Sequence, residues 1–214
     1  MTKNLINKRD QALLREAFAV AARARDGGDH PFGSILASSD GAVLMEQGNG
    51  YTSEGGDRTA HAERLLASRA AKAYPLEVLA GCTLYTSAEP CAMCAGAIYW
   101  AGIGRVVFGQ TERDLKAQTG AHEENPTLDL PCRVVFGAGQ RPTEVVGPLL
   151  EDEAAALQAG YWKESVAAKK RTRSESSPFA SSGSGNLTPS EIRPLVPVVG
   201  EYQAGSGETG GIAY

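Results

Sequence analysis

The sequence predicts an α/β fold in which helices cover both faces of a central, mostly parallel sheet. A strand-like run, a helical run and a second strand-like run follow one another between residues 82 and 109. Such a connection places parallel strands side by side beneath a helix. With 214 residues and 42% apolar side chains, the chain can bury a full core and still carry an appendage. We therefore expect a three-layer α/β/α sandwich.

The first part of the chain contains a helix followed by a hairpin. Apolar residues recur at helical spacing over residues 8–26, and a glycine pair ends the pattern. Two apolar runs, 32–37 and 42–46, are separated by a Ser-Asp-Gly turn. This arrangement predicts two antiparallel strands.

The middle of the chain alternates between helix and strand. After a loop, Asp57 or Thr59 is expected to cap a helix that runs to about residue 73. A strand over 82–86 leads to a helix over 90–101, with Pro90 in its first turn, where a missing N–H costs nothing. The remaining predicted elements are a strand over 105–109, an irregular stretch over 110–131, strands over 132–136 and 143–146, and a helix over 151–168.

The composition changes near residue 172, so we predict a folded domain over 1–171 and a tail over 172–214. The tail is rich in Ser, Gly and Pro, and it can bury little apolar surface. We expect it to be mobile or to dock on the domain or on a partner subunit. The basic run over 169–173 is interpreted as a solvated helix end.

Charge and hydropathy limit the binding partners and the location that we expect for this protein. A net charge of −4 gives no indication of the positively charged surface that binds long nucleic acids. The chain shows no signal-peptide pattern at its start and no run of about 20 apolar residues. We expect a cytoplasmic protein with no membrane contact. Of its four cysteines, Cys82 and Cys132 lie in apolar runs and are interpreted as buried thiols.

The other two cysteines belong to a motif that predicts a zinc site. It consists of His61-Ala62-Glu63 and Pro90-Cys91-Ala92-Met93-Cys94. Zinc prefers nitrogen and sulfur ligands, and a catalytic zinc keeps one of four positions open for water. We expect His61, Cys91 and Cys94 to hold one Zn²⁺ per chain, with Glu63 as the carboxylate that carries protons.

The spacing within each half of the motif constrains its geometry. Cys91 and Cys94 are three residues apart and share one face of a helix. His61 and Glu63 are two apart, which would turn them about 200° from each other in a regular helix. The pair must therefore lie at a helix start, or the helix must present its end to the site.

The motif resembles the cytidine and deoxycytidylate deaminase superfamily, whose signature is H-x-E followed by P-C-x-x-C. The run over 86–100 resembles bacterial guanine deaminases, and 94–97 with 102–109 resembles tRNA adenosine deaminases equally well. The resemblance extends over residues 8–168. It implies the cytidine deaminase-like fold with a five-stranded sheet, zinc-dependent hydrolysis of a C–N bond and a homodimer, in which the partner subunit helps to close the pocket.

The resemblance also suggests residues that bind the substrate: Asn49, Ala62, Phe32, Trp100, and either Glu123 or Glu124. In the families that the chain resembles, an asparagine in the region of Asn49 bonds to the substrate. Phe32 and Trp100 correspond to positions that contact or border the base. A late acidic residue reads the purine edge in guanine deaminases, and Glu123 or Glu124 is our candidate for it.

We predict hydrolytic deamination of a purine nucleobase or nucleoside, and guanine is the first compound to test. A tRNA adenosine deaminase is the main alternative, supported by the run 105–109 and the basic run over 169–173. A deaminase of cytosine or cytidine is a further possibility. A zinc-bound scaffold without turnover is disfavoured by Glu63, because an inactive protein has no chemical need for that acid.

Overall fold

The computed structural model describes residues 8–120 and 122–163. The helices are α1 (Lys8–Asp26), α2 (Ala62–Ala73), α3 (Leu76–Ala80), α4 (Ala92–Ala101), α5 (Glu112–Thr119), α6 (Cys132–Gly137) and α7 (Glu151–Gln158), followed by a 3₁₀ turn (Tyr161–Lys163). The strands are β1 (Gly33–Ala37), β2 (Val43–Gly48), β3 (Thr83–Ala88), β4 (Arg105–Gln110) and β5 (Glu144–Val146). The predicted tail, the basic run over 169–173 and the domain boundary lie outside the described residues.

The five strands form one mixed sheet in the order β2-β1-β3-β4-β5. Strand β1 runs antiparallel to both β2 and β3, while β3, β4 and β5 are parallel to one another. Four of the five strands therefore point the same way. This confirms the predicted hairpin and the predicted mostly parallel, five-stranded sheet.

Helices cover both faces of the sheet, as the sequence predicted. Along β4, Val106 and Phe108 pack on one face and Val107 on the other, so the two central strands are buried on both sides. Helices α2, α3, α4 and α6 share the first core, and α1 and α7 share the second. The side chains at the centre of the first core are Leu66, Leu79, Leu84, Ile98 and Phe136.

Two predictions for the segment after β4 are wrong. The stretch over 110–131 is not irregular throughout, because α5 begins after Thr111, whose hydroxyl accepts a hydrogen bond from the Asp114 N–H at 3.0 Å. The run over 132–136 is not a strand but helix α6, with Pro131 at its N-cap. Cys132 and Phe136 lie four residues apart and are both buried, which is the spacing of one helix face.

The ends of three helices also differ from the prediction. Helix α2 has His61 at its N-cap, and neither Asp57 nor Thr59 caps it. Helix α4 has Cys91 at its N-cap, so Pro90 precedes the first turn instead of lying in it. Helix α7 ends at Gln158, well before residue 168. Within residues 8–120 and 122–163, no helix is long and apolar enough to span a bilayer.

A buried ion pair ties α1 to the two central strands. Asp10 is 2% exposed, and its carboxylate accepts hydrogen bonds from the Arg105 guanidinium at 2.8 and 3.0 Å and from the Tyr85 hydroxyl at 2.9 Å. Burial and the hydrogen bond to Asp10 raise the pKa of Tyr85 to about 12. The phenol therefore stays protonated and donates to Asp10 at neutral pH.

We expect Asp10→Ala to lower the free energy of unfolding by about 2 kcal/mol, because it leaves the buried Tyr85 hydroxyl without its acceptor and removes one of the two carboxylate partners of the partly buried Arg105. Urea denaturation checks this value. The control is Glu153→Ala, which removes the partner of Arg15 from a pair that is almost half exposed and should cost less than about 1 kcal/mol. Equal losses in the two variants would contradict the role of Asp10.

Candidate active site

Two helix N-termini meet at the carboxyl end of β3 and bring the halves of the sequence motif together. His61 is the N-cap of α2, with backbone angles of −67° and 145°. Cys91 is the N-cap of α4, and Cys94 lies in its first turn. The extended backbone at His61 solves the spacing problem, since Glu63 follows a residue that is not yet helical. Both His61 and Glu63 line the same cavity.

The three predicted ligands have the separations that a zinc ion requires. The Nδ1 atom of His61 lies 3.7 Å from the Cys91 Sγ and 3.6 Å from the Cys94 Sγ. All three ligand atoms lie within 4.8 Å of one another. Tetrahedral zinc with Zn–N of about 2.0–2.1 Å and Zn–S of about 2.3 Å places nitrogen and sulfur about 3.6 Å apart. The two nitrogen–sulfur separations of His61, Cys91 and Cys94 therefore match those of a zinc site.

Glu63 lies beside this group but is held separately. It is 5% exposed, and its Oε1 accepts a hydrogen bond from the Thr86 hydroxyl at 2.8 Å. Its Oε2 lies 3.6 Å from the Cys94 Sγ. Thr86 belongs to β3, so the sheet fixes the orientation of the carboxylate.

The environment changes the acidity of these groups. A hydrogen bond from the Cys94 thiol lowers the pKa of Cys91 to about 4, and the same bond and burial raise the pKa of Cys94. Burial raises the pKa of Glu63. Burial by itself would lower the pKa of His61, but the hydrogen bond with Cys91 and the charge of Glu63 raise it overall. Cys91 is thus a thiolate, the form that binds metals.

A cavity of about 30 Å³ opens next to the motif, with room for a water molecule. It is lined by Phe32, His61, Glu63, Ala88, Glu89, Cys91, Glu112, Leu115 and Asn125. The sequence reasoning identified Phe32, His61, Glu63 and Cys91 among these residues and missed the others.

Two of the missed residues, Glu89 and Glu112, are acids that follow the neighbouring strands β3 and β4. Glu89 directly follows β3 and accepts hydrogen bonds from the backbone N–H of Cys132 at 2.9 Å and of Glu112 at 3.2 Å. Glu112 begins α5 directly after β4. Burial and the negative charges of Cys91 and Glu63 raise its pKa to about 8. Because parallel β3 and β4 end at the same sheet edge, the residues after β4 were candidates that the sequence could have indicated.

Three of the residues predicted to bind substrate do not line this cavity, and their roles stay predictions. Within the described residues, Asn49, Ala62 and Trp100 are not part of its lining. Asn49 is buried and its Oδ1 accepts a hydrogen bond from the Tyr51 N–H at 2.8 Å, while Trp100 is 77% exposed.

The late acidic residues lie elsewhere as well. Glu123 lines a different pocket together with Lys116 and His122, and the Glu124 carboxylate lies 3.6 Å from the His30 Nε2. Of the five predicted substrate positions, the cavity lining contains Phe32 alone.

Comparison with known proteins connects this geometry to one family. Residues 7–110 match the cytidine and deoxycytidylate deaminase zinc-binding region. A probable cytosine deaminase from Schizosaccharomyces pombe is 43% identical over 162 residues, which make up 76% of this chain and 98% of that protein. A tRNA-specific adenosine deaminase from Bacillus subtilis is 31% identical over 165 residues, 77% of this chain and 95% of that protein.

A solved structure shows the same fold. The guanine deaminase from Nitrosomonas europaea is similar over 74% of this chain and 86% of its own, with a TM-score of 0.58 and 26% sequence identity.

We expect Cys94→Ser to lower the zinc content of protein purified with added zinc, because a hydroxyl replaces a thiolate ligand. Elemental analysis against the wild-type protein measures this. The matched control is Cys82→Ser, which changes a buried thiol that contacts the Val78 carbonyl. Normal zinc stoichiometry in Cys94→Ser would refute the ligand assignment.

Proposed function

The chain belongs to the cytidine and deoxycytidylate deaminase family, and we propose that within this family it is a zinc-dependent deaminase of free nucleobases. Family membership confirms the resemblance predicted from the sequence and makes the chain a hydrolase that acts on C–N bonds. The choice of substrate and the residue roles described below are our proposals.

One observation carries the proposal of a free base: the cavity beside the motif is small and lined with acids. Glu63, Glu89 and Glu112 all border it, and no lysine or arginine is among the lining residues within the described chain. A cavity lining without a basic side chain offers no partner for a phosphate group, so this lining favours a neutral ligand over a nucleotide. Because a planar base is larger than the cavity, we expect side chains such as Leu115 to move when it binds.

His61, Cys91 and Cys94 would hold the zinc ion. When bound, zinc supplies a Lewis acid and lowers the pKa of water from about 15.7 towards about 7. The protein's own contribution is to exclude bulk water from the site and to position one carboxylate beside the reacting atoms.

Glu63 is the residue that we assign to proton transfer. It would accept a proton as water attacks the ring carbon that carries the amine, and deliver it to the adjacent ring nitrogen. A second transfer to the amine releases ammonia as the C–N bond breaks, and the ring keeps the oxygen as a carbonyl. The hydrogen bond from Thr86 leaves Oε2 on the side of Cys94, where it can face the reacting atoms.

Cytosine and guanine are the two candidate substrates. The sequence named guanine first, and the similarity to the Nitrosomonas europaea structure supports it. The 43% identity to the probable cytosine deaminase, over nearly all of its length, supports cytosine. The similarity to tRNA-specific adenosine deaminases keeps tRNA as an alternative, against which the acidic lining counts. A homodimer, implied by the family resemblance, stays a prediction.

The test is ammonia release from zinc-loaded protein. We expect release with cytosine or guanine and none with an anticodon stem-loop. The panel includes cytidine, guanosine and adenosine, so that a base and its nucleoside are compared directly. If inosine forms in the stem-loop and no free base releases ammonia, the proposal is overturned in favour of a tRNA deaminase.

We expect Glu63→Ala to retain zinc but to lose about 10²- to 10⁴-fold in kcat, the typical contribution of positioned proton transfer. Elemental analysis and steady-state kinetics on the active base measure the two quantities. Glu16→Ala, which removes an exposed carboxylate on α1, is the matched control and should be fully active. Wild-type kcat in Glu63→Ala would remove this residue from the mechanism.

A further inference from the structure

Two buried hydroxyl groups interrupt the apolar face of the sheet near the start of α2. On this face the strands contribute Leu36, Leu84 and Phe108 to the first core. Ser34 and Thr86 lie two residues from Leu36 and Leu84 on the same strands, so they share that face. They are opposite each other in the antiparallel pair of β1 and β3, and both are completely buried. Because valine has nearly the shape of threonine and is favoured in strands, packing alone does not require a hydroxyl at position 86.

The two hydroxyls differ in what they contact. The Thr86 hydroxyl donates a hydrogen bond of 2.8 Å to the Oε1 of Glu63. The Ser34 hydroxyl has no hydrogen-bond partner in the part of the chain that the structure describes. Ser34 therefore has the same burial and the same chemistry as Thr86 but no link to Glu63, which makes it a matched control.

The bond from Thr86 distinguishes the two oxygens of Glu63. Oε1 accepts the hydroxyl proton, whereas Oε2 lies 3.6 Å from the Sγ of Cys94. Cys94 is one of the predicted metal ligands, so Oε2 is the oxygen on the side of the reacting atoms. A proton on Oε1 would meet the proton of the Thr86 hydroxyl, and the bond therefore favours Oε2 as the oxygen that carries a proton.

We propose that Thr86 is a positioning residue for the reaction and acts through Glu63. By donating to Oε1, its hydroxyl holds the carboxylate in one orientation, in which Oε2 takes a proton from the attacking water and gives it to the ring nitrogen. Thr86 is not among the residues that line the cavity, so it does not touch the substrate. The inference rests on the proton-transfer role that the proposed function gives to Glu63, and it deepens that role.

Orientation matters because one oxygen of Glu63 has to serve two atoms in succession. The water and the ring nitrogen must both come within hydrogen-bond reach of it, about 2.6–3.2 Å. The last torsion of a glutamate side chain is broad unless a contact holds it. Since a displacement of about 1 Å can reduce a rate by about 100-fold, the loss of one hydrogen bond to the carboxylate should have a large effect on turnover.

The test removes the Thr86 hydroxyl without changing the cavity lining. In Thr86→Val we expect kcat to fall about 10- to 100-fold on the substrate that the wild type deaminates fastest, with KM and zinc content close to their wild-type values. Thr86→Ser, which keeps the hydroxyl, should restore most of kcat. A role in packing alone predicts the reverse order, because valine keeps the volume of threonine and serine loses a methyl group. Ser34→Ala removes the neighbouring hydroxyl and should behave as the wild type.

Combining Thr86→Val with Glu63→Ala shows whether Thr86 acts through this carboxylate. We expect the added Thr86→Val to lower the residual rate of Glu63→Ala by less than about twofold, because the group that it positions is already gone. A further loss as large as that of Thr86→Val alone would mean that Thr86 acts independently, and this result overturns the proposal. A kcat of Thr86→Val near the wild-type value overturns it as well, and so does a loss of kcat/KM that lies entirely in KM.

Melting temperatures check that the variants are folded. If Thr86→Val is poorly folded, the comparison of Thr86→Ala with Thr86→Ser decides, since these two variants differ by the hydroxyl alone. We then expect a higher kcat in Thr86→Ser, and equal values of kcat overturn the proposal.

Failure of the proposed function gives different results from failure of this inference. If the wild type acts on the anticodon stem-loop and on no free base, the proposal of a free base falls, and the same variants are compared on the stem-loop. If the wild type deaminates nothing in the panel, or if Glu63→Ala keeps the wild-type kcat, the roles of Glu63 and Thr86 fall together. If Glu63→Ala loses activity and Thr86→Val does not, the inference about Thr86 fails alone.

Discussion

The structure depends on the close approach of two helix N-termini, those of α2 and α4, at the carboxyl end of β3. The first backbone N–H groups of each helix have no partner within that helix, and each terminus is the positive end of a helix dipole. That field favours the thiolate form of Cys91, whose Sγ lies 3.7 Å from the His61 Nδ1. The approach itself is maintained by the apolar core in which Leu66 of α2 and Ile98 of α4 are completely buried. Packing between α2 and α4 therefore helps to hold the three predicted metal ligands close together.

The parts of the site that the sequence predicted are those encoded by short spacing. His61 and Glu63 are two residues apart, and Cys91 and Cys94 are three apart, so local geometry alone limits where their side chains can lie. Glu89 and Glu112 escaped prediction because they meet only when β3 and β4 pair and α5 begins at their common edge. Asn49 and Trp100 lie outside the cavity lining: the Asn49 amide accepts a hydrogen bond from its own loop, and the Trp100 ring is largely exposed. Their roles in substrate binding stay predictions.

In the fold, too, elements with a clear local sequence pattern were predictable, and elements that depend on tertiary contacts were not. Helix α1 and the β1–β2 hairpin were predictable, because their periodicity is sustained and a turn separates the strands. Helix α6 was mistaken for a strand because a five-residue run with four apolar residues, two of them valines, is too short to show a helical or strand period. Helix α5 was overlooked because Leu115 is the one large apolar residue in it, and its start is stabilised by Thr111 and by Glu89 from another element. In both cases a tertiary contact decided the structure.

The protein compensates the acids around the cavity in different ways. Glu89 is satisfied by two backbone N–H groups, so its charge is compensated by helix starts and it serves the fold. Glu63 is partly satisfied by a hydroxyl, which orients it and leaves one oxygen for the reacting atoms. Burial and the negative charges of Cys91 and Glu63 raise the pKa of Glu112 to about 8, so at neutral pH this residue is mostly a neutral acid. The three acids can therefore lie at one sheet edge without three full negative charges, because backbone N–H groups compensate Glu89 and burial keeps Glu112 protonated.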